Sequence, residues 1–164
     1  MIPHRVHNFG TYFVGSQTWE RRKLFKNEEL AELLVRTILK YRDQAKYLLH
    51  DFVVMPDHLH VILTPDGITL ERAMQLIKGG YSHAVGETGR KSLMIWQKGF
   101  TDHRIRDAED YERHRLYLLM NPVRAGLSDS EQDYRWSSAR REWRMDEAPQ
   151  RLKPSESLAE ARHG

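Results

Sequence analysis

"AKYLLHDFVVMPDHLHVILT", residues 45–64, holds two apolar runs separated by Pro56-Asp57. Both runs carry the β-branched and aromatic bulk that suits a pleated surface, and proline followed by aspartate is turn chemistry. So short a connection joins antiparallel neighbours. Residues 45–55 and 58–64 are therefore expected to be paired strands. Side chains alternate across a strand, which puts Leu59, Val61 and Leu63 toward a core and leaves His58 and His60 together on the other face.

Outward from this hairpin the pattern alternates. "GTYFVGSQTWERRKLF" (10–25) begins as a strand through Tyr12, Phe13 and Val14. Asn27 is a good helix N-cap, Glu28 and Glu29 suit the positive helix start, and Leu30, Leu33, Leu34, Thr37, Ile38 and Tyr41 form an amphipathic stripe. A second helix follows Thr69, with Leu70, Ala73, Met74, Ile77, Tyr81, Ala84 and Val85 as its apolar face. Gly79-Gly80 is expected to interrupt it. "LMIWQKGFTDHRIR" (93–106) is a fourth strand region broken near Gly99. Asp107 caps a third helix, which Pro122 is expected to stop. The order β, α, β, β, α, β, α predicts an α+β fold, a ferredoxin-like antiparallel sheet covered by helices. Residues 1–144 read as one domain and 145–164 as a polar, flexible tail.

Composition narrows the chemistry. The chain has 164 residues, 40% hydrophobic and 30% charged, enough for a core without staples. It contains no cysteine, which excludes disulfides, thiolate metal sites and cysteine nucleophiles. "MIPHRVHNFG" at the start lacks the apolar stretch of a signal peptide, so a cytoplasmic protein is expected. A net charge of +3 points weakly to a polyanionic partner. The stronger signal is "RWSSARREWR" (135–144), where Arg135, Arg140, Arg141 and Arg144 interleave with Trp136 and Trp143. Guanidinium groups beside aromatic faces suit phosphate contact and base stacking, although the same pattern also describes a solvated face anchored by two tryptophans.

His58 and His60 lie roughly 7 Å apart at Cα, close enough for two imidazoles to converge on one ion. By themselves they fit a solvent-facing strand side better than a metal site, and no further ligands for a closed zinc site are evident. In "ERHRLYLLMNPVRAGL" (112–127), Tyr117 and Asn121 stand four residues apart, one above the other on a helix face. Tyr111 and Leu118 fill the core-facing stripe and leave Tyr117 free for another one.

Taken together, "MPDHLHVIL", "IKGGYSHAV", "IWQKGFTDHRIRDAEDY", "YLLMNPVRAGL" and "YRWSS", in this order, resemble the REP-associated tyrosine transposases, small single-tyrosine members of the HUH nuclease group. The resemblance spans roughly residues 10 to 140. It implies that His58 and His60 bind a catalytic divalent ion, that Tyr117 is the nucleophile, and that Asn121 stands where related transposases place a carboxamide metal ligand, here Asn in place of Gln. It implies a DNA-cleaving and -joining enzyme that acts on single-stranded or hairpin DNA through a 5′-phosphotyrosine, with Mg²⁺ or Mn²⁺ as cofactor and its activity at the nucleoid. A homodimer is left open, because some relatives share active sites between chains. Arg135, Trp136, Arg140, Arg141, Lys78, Lys98 and Arg104 are expected DNA contacts. His114, one turn before Tyr117, is a candidate general base. Rival readings are a catalytically inactive DNA- or RNA-binding relative, and a hydrolase in which water replaces the tyrosine. "KGF" (98–100) resembles the opening of an RNA-binding signature, yet "TDHRI" lacks its alternating aromatics.

Overall fold

The computed structural model describes residues 10–153. Strands β1 (Tyr12–Gln17), β2 (Tyr47–Met55), β3 (His58–Pro65) and β4 (Thr101–Arg104) form one sheet in the order β2-β3-β1-β4, every pair antiparallel. Helices α1 (Glu28–Asp43), α2 (Leu70–Glu87) and α3 (Ala108–Arg124) cover it, which is the expected ferredoxin-like arrangement. Each helix starts where its capping residue dictates. The side chains of Asn27, Thr69 and Asp107 accept from the backbone N–H of Leu30, Arg72 and Asp110 at 3.1, 3.0 and 2.8 Å.

The sheet buries both faces, but unequally. Tyr12, Val14, Phe52, Val54, Leu59, Val61 and Leu63 pack with the stripes of α1 and α2 into the main core. On the other face Val53, Met55 and Ile62 meet Tyr111, Leu118 and Leu119 of α3 in a smaller cluster. Side chains directly opposite in the register share a face. Phe13, Gly15 and Gln17 of β1 thus stand with His60 and His58 of β3 and with Thr101 and His103 of β4, all on the α3 side.

Four expectations need correction. Gly79-Gly80 does not interrupt α2, which is continuous from Leu70 to Glu87. Gly80 lies against the ring of Tyr41 on α1, where a Cβ would collide, so the glycine serves helix packing. Helix α3 passes through Pro122 and ends at Arg124. The proline φ is itself helical, and the chain closes with bonds from Ala125 N–H to the Asn121 carbonyl (3.0 Å) and Leu127 N–H to the Pro122 carbonyl (2.9 Å). The fourth strand is only the second half of its predicted region; before Gly99 the chain pairs through a single bridge between Trp96 and Thr18 and buries Ile95 in the main core. Finally, residues 145–153 are folded. Asp146 accepts from Arg42 at 2.7 and 3.0 Å and from the Leu49 N–H at 2.8 Å, and Leu152 is buried under α3. The remaining expected tail, 154–164, lies outside the described residues.

Two stability measurements check this packing. Gly79 is exposed with open space around it, so Gly79→Ala should raise the unfolding free energy by up to about 1 kcal/mol while Gly80→Ala lowers it. Asp146→Ala, which strips both the guanidinium pair and a backbone acceptor, should cost about 1–3 kcal/mol in a denaturant titration.

Candidate active site

The strand register and the α3 contact converge on a cavity of about 600 Å³ at one end of the sheet, and His58, His60, Tyr117 and Asn121 all line it. The two imidazoles meet edge to face with centroids 4.9 Å apart. The Tyr117 ring stands 6.0 Å from His60 and 6.0 Å from Phe13, edge-on to both. Asn121 follows one helical turn later on the same side of α3. The four residues thus share one cavity, although Tyr117 and Asn121 lie over fifty residues from the histidines in sequence.

The histidines differ in environment. Asp57 Oδ1 lies 2.7 Å from His58 Nδ1, and Arg21 Nε donates to Asp57 Oδ2 at 3.1 Å. Burial alone would raise the Asp57 carboxyl; the hydrogen bonds from His58 and Arg21 outweigh it and hold the group below the usual carboxylate range. An ionised carboxylate only accepts, so His58 Nδ1 carries the proton of this contact and the other ring nitrogen, Nε2, points away from Asp57. His60 is more deeply enclosed, its ring stacked on Phe13 at 4.9 Å and 22°. Burial first, and then the neighbouring His58, push its pKa down to about 4. Its Nδ1 is buried without any hydrogen-bond partner. Buried polar atoms are rarely left so. Two adjacent imidazoles lining one cavity, one with its pKa pushed down by burial and the other oriented by a carboxylate, fit a divalent metal. Gly15 makes room for this: a Cβ there would lie 3.0 Å from His60 Cε1 and 2.9 Å from Thr101 Oγ1.

Tyr117 is 47% exposed, and the Arg124 guanidinium lies over its ring, 4.4 Å from the centroid. His114, expected as a base, is committed elsewhere. Its Nδ1 lies 2.8 Å from the Asp110 carbonyl and 3.1 Å from Asp110 Oδ1, and its ring stacks on His103 at 4.2 Å. His103, Asp110 and His114 place one potential ligand atom each within 4.8 Å of one another, a donor set compatible with a divalent ion. Asp110 is, however, already saturated. The Arg106 N–H (2.9 Å), His103 Nε2 (2.8 Å) and Arg113 (3.1 Å) also bond its carboxylate and hold it well below the usual range against the opposing effect of burial. The near-parallel rings, 13° apart, point side by side into the carboxylate instead of converging. This cluster ties β4 to the helix that carries Tyr117.

The expected DNA contacts scatter. Lys98 lines the cavity. Lys78 braces its wall instead, donating to the carbonyls of Gln97 (3.0 Å) and Gly99 (2.7 Å), with burial lowering its pKa. Arg104 pairs opposite Tyr12 and so belongs to the α1/α2 face of the sheet. The 135–144 segment runs along the outer edge of β2, where Ser137 bridges Val53. Trp136 is only 7% exposed and packs into the main core, with Arg135 4.4 Å over its ring; it offers no face to a base. Arg135 pairs with Glu28 and Arg140 with Glu142, while Arg141 lines a separate cavity beside Trp143. The sequence reading missed Arg21, Asp57 and Gly15. Asp57, directly before the first histidine, was the one signal available for them.

Comparison with known proteins identifies the family. A family model described as "Transposase IS200 like" matches residues 12–119, a span that includes both histidines and Tyr117 and stops short of Asn121 and the 135–144 segment. The chain is 30% identical to the REP-associated tyrosine transposase of Escherichia coli K12 over 135 residues, 81% of this chain and 78% of that protein. A Haemophilus influenzae protein provisionally given the same name is 27% identical, covering 59% of this chain and 61% of its own length. Among solved structures, a REP-associated tyrosine transposase bound to a REP hairpin superposes with a TM-score of 0.72 at 26% identity, covering 96% of both chains.

The buried imidazole makes stability depend on pH. His60 has a folded pKa near 4 against an ordinary 6.5, so the unfolded chain takes up the proton first as pH falls. Stability from this group is complete above about 6.5 and is lost as pH falls toward 4. His50, also pushed down by burial, adds to the same slope. Melting temperatures measured between pH 7.5 and 4 should fall less steeply in His60→Gln than in the wild type; equal slopes would contradict the assignment.

Proposed function

The chain belongs to the IS200-like transposases, in their REP-associated tyrosine branch, and from that membership we propose that it cuts and rejoins single-stranded, hairpin-forming DNA through a covalent link to Tyr117. The observation that carries this reading is the shared cavity: a half-exposed phenol stands 6.0 Å from the half-buried imidazole of His60, with His58 and Asn121 lining the same space.

In the first step Tyr117 Oη attacks a backbone phosphorus. A Tyr–O–P bond forms, the P–O bond to the 3′-oxygen breaks, and a 5′-phosphotyrosine and a free 3′-hydroxyl result. The phenol proton is lost and the departing oxygen gains one. Attack by another 3′-hydroxyl reverses these bonds and joins strands, with the phosphoester energy retained throughout. A divalent ion held by His58, His60 and the Asn121 carboxamide would polarise the phosphate and stabilise the leaving oxygen. Two imidazoles, an amide oxygen and open positions suit Mg²⁺ or Mn²⁺, the nitrogen donors favouring Mn²⁺ affinity and cellular abundance favouring Mg²⁺.

The protein's own groups prepare the attack. Arg124 packs over one face of the Tyr117 ring, while Phe13 and His60 meet it edge-on, which restricts its rotamers before DNA arrives. The Asp57–His58 contact fixes which nitrogen faces the cavity, and Lys98 adds positive charge to its wall. His58, His60, Tyr117 and Asn121 of one chain line the cavity together. Among the described residues no helix is long and apolar enough to cross a membrane; with DNA as substrate, the cytoplasm beside the nucleoid is the proposed location.

A labelled hairpin oligonucleotide with a single-stranded flank, incubated with Mn²⁺ and run on a denaturing gel, tests the reading. The wild type should give a protein–DNA band that Tyr117→Phe abolishes while binding persists. A band that survives in Tyr117→Phe sinks the proposal. His58→Ala should lower Mn²⁺ affinity by more than about 10-fold, measured by titration calorimetry without DNA. Asp110→Asn should leave that affinity unchanged and lower only the melting temperature; the opposite pattern would move the metal to His103 and His114.

A further inference from the structure

The turn after β1 holds two consecutive non-glycine residues in the left-handed region, Glu20 at φ 54° and Arg21 at φ 55°. Each such residue is strained, so the surrounding contacts must over-determine the turn. They do. The Thr18 N–H donates to the Asp57 carbonyl at 3.0 Å and its hydroxyl to the Arg22 carbonyl at 2.7 Å, the Phe25 N–H donates to the Pro56 carbonyl at 3.0 Å, and the Trp19 N–H donates to the Ile95 carbonyl at 2.8 Å. The strained segment is thereby tied both to the histidine hairpin and to the chain that leads into β4.

What this delivers is Arg21. Its Nε donates to one oxygen of Asp57, whose other oxygen lies 2.7 Å from His58 Nδ1. Arg21 also lines the cavity of His58, His60 and Tyr117, and its side chain remains 57% exposed. Among the described residues that line this cavity, the only formally charged ones are Arg21 and Lys98, with no carboxylate. A guanidinium has two usable edges, so one group can hold a carboxylate through Nε and accept an anion on its terminal nitrogens. We infer that Arg21 binds the phosphate that Tyr117 attacks and at the same time, through Asp57, positions His58. Substrate contact and metal-ligand orientation thus share one side chain. This rests on the proposed function above.

The test uses binding constants on the full chain, after the wild type has been used to map the cut position. Arg21→Gln should weaken binding of the hairpin oligonucleotide at least 5-fold when the scissile linkage is an ordinary phosphodiester. With an uncharged methylphosphonate at that linkage, wild type and Arg21→Gln should bind within 2-fold of each other. In the absence of DNA, Mn²⁺ affinity should fall about 10-fold or more in Asp57→Ala and several-fold in Arg21→Gln. It should stay near wild type in Asp57→Asn, which keeps an acceptor for the His58 N–H. Arg21→Lys should recover oligonucleotide binding but not Mn²⁺ affinity, because an ammonium lacks the second edge. Equal losses on the two oligonucleotides, with Mn²⁺ affinity unchanged in Arg21→Gln and Arg21→Lys, would overturn the inference and reduce Arg21 to a brace for the turn. That outcome is distinguishable from failure of the proposed function, which shows as a covalent band persisting in Tyr117→Phe or as no band from the wild type; in either case the Mn²⁺ titrations still decide the Asp57 half.

Discussion

Gly15 lies directly across from His60 in the middle of the sheet, and the absence of a side chain there governs the rest of the site. A Cβ at that position would lie 3.0 Å from the imidazole and 2.9 Å from Thr101 Oγ1, so the ring would have to shift away from β1 to make room. Because the space is open, the ring of His60 stacks on Phe13 of the neighbouring strand and is half-buried, and that enclosure pushes its pKa down. The adjacent His58 is more open and takes its orientation from Asp57 instead. One backbone position thus separates the two histidines into a desolvated imidazole and a carboxylate-oriented one.

Burying an imidazole with an unpartnered nitrogen is unfavourable, and the fold offsets it on the opposite face of the same sheet. There β1 and β3 contribute Tyr12, Val14, Leu59, Val61 and Leu63 to a dry core closed by α1 and α2. The two central strands therefore carry an apolar face that holds the sheet together and a polar face that does chemistry. Helix α3 is split in a similar way along its length. Tyr111, Leu118 and Leu119 seal it to the sheet, while Asp110 and His114 latch it to β4 and Tyr117 and Asn121 overhang the cavity. Functional sites are commonly where local stability is given up, and here the loss sits within one sheet thickness of its compensation.

Much of this was legible from the residues. The hairpin, the three capping side chains, the core-facing alternation of Leu59, Val61 and Leu63 and the order of elements all follow from short-range rules that the structure obeys. The misreadings have a common cause. Gly80 looks like a helix break until Tyr41 of another helix is found where its side chain would be. Pro122 looks like a stop, yet it sits so near the helix end that the chain closes around it. "RWSSARREWR" has the composition of a nucleic-acid surface, but pairing of Ser137 with the β2 edge turns Trp136 into the core. In each case a distant segment decided the outcome.

The sequence by itself determined which elements form, how they alternate and which faces are apolar, because capping, turn chemistry and side-chain periodicity act over a few residues. Likeness of its motifs to a known family also pointed to the reacting residue types. Only the tertiary structure decided that Tyr117 meets His60 across Phe13, that Asp57 and Arg21 stand behind His58, and that Lys78, Arg104 and the arginine-tryptophan segment do not enter the cavity as free cations. Those facts depend on strand register and on where α3 docks. Both are set by the joint burial of side chains far apart in the chain, which no local pattern encodes.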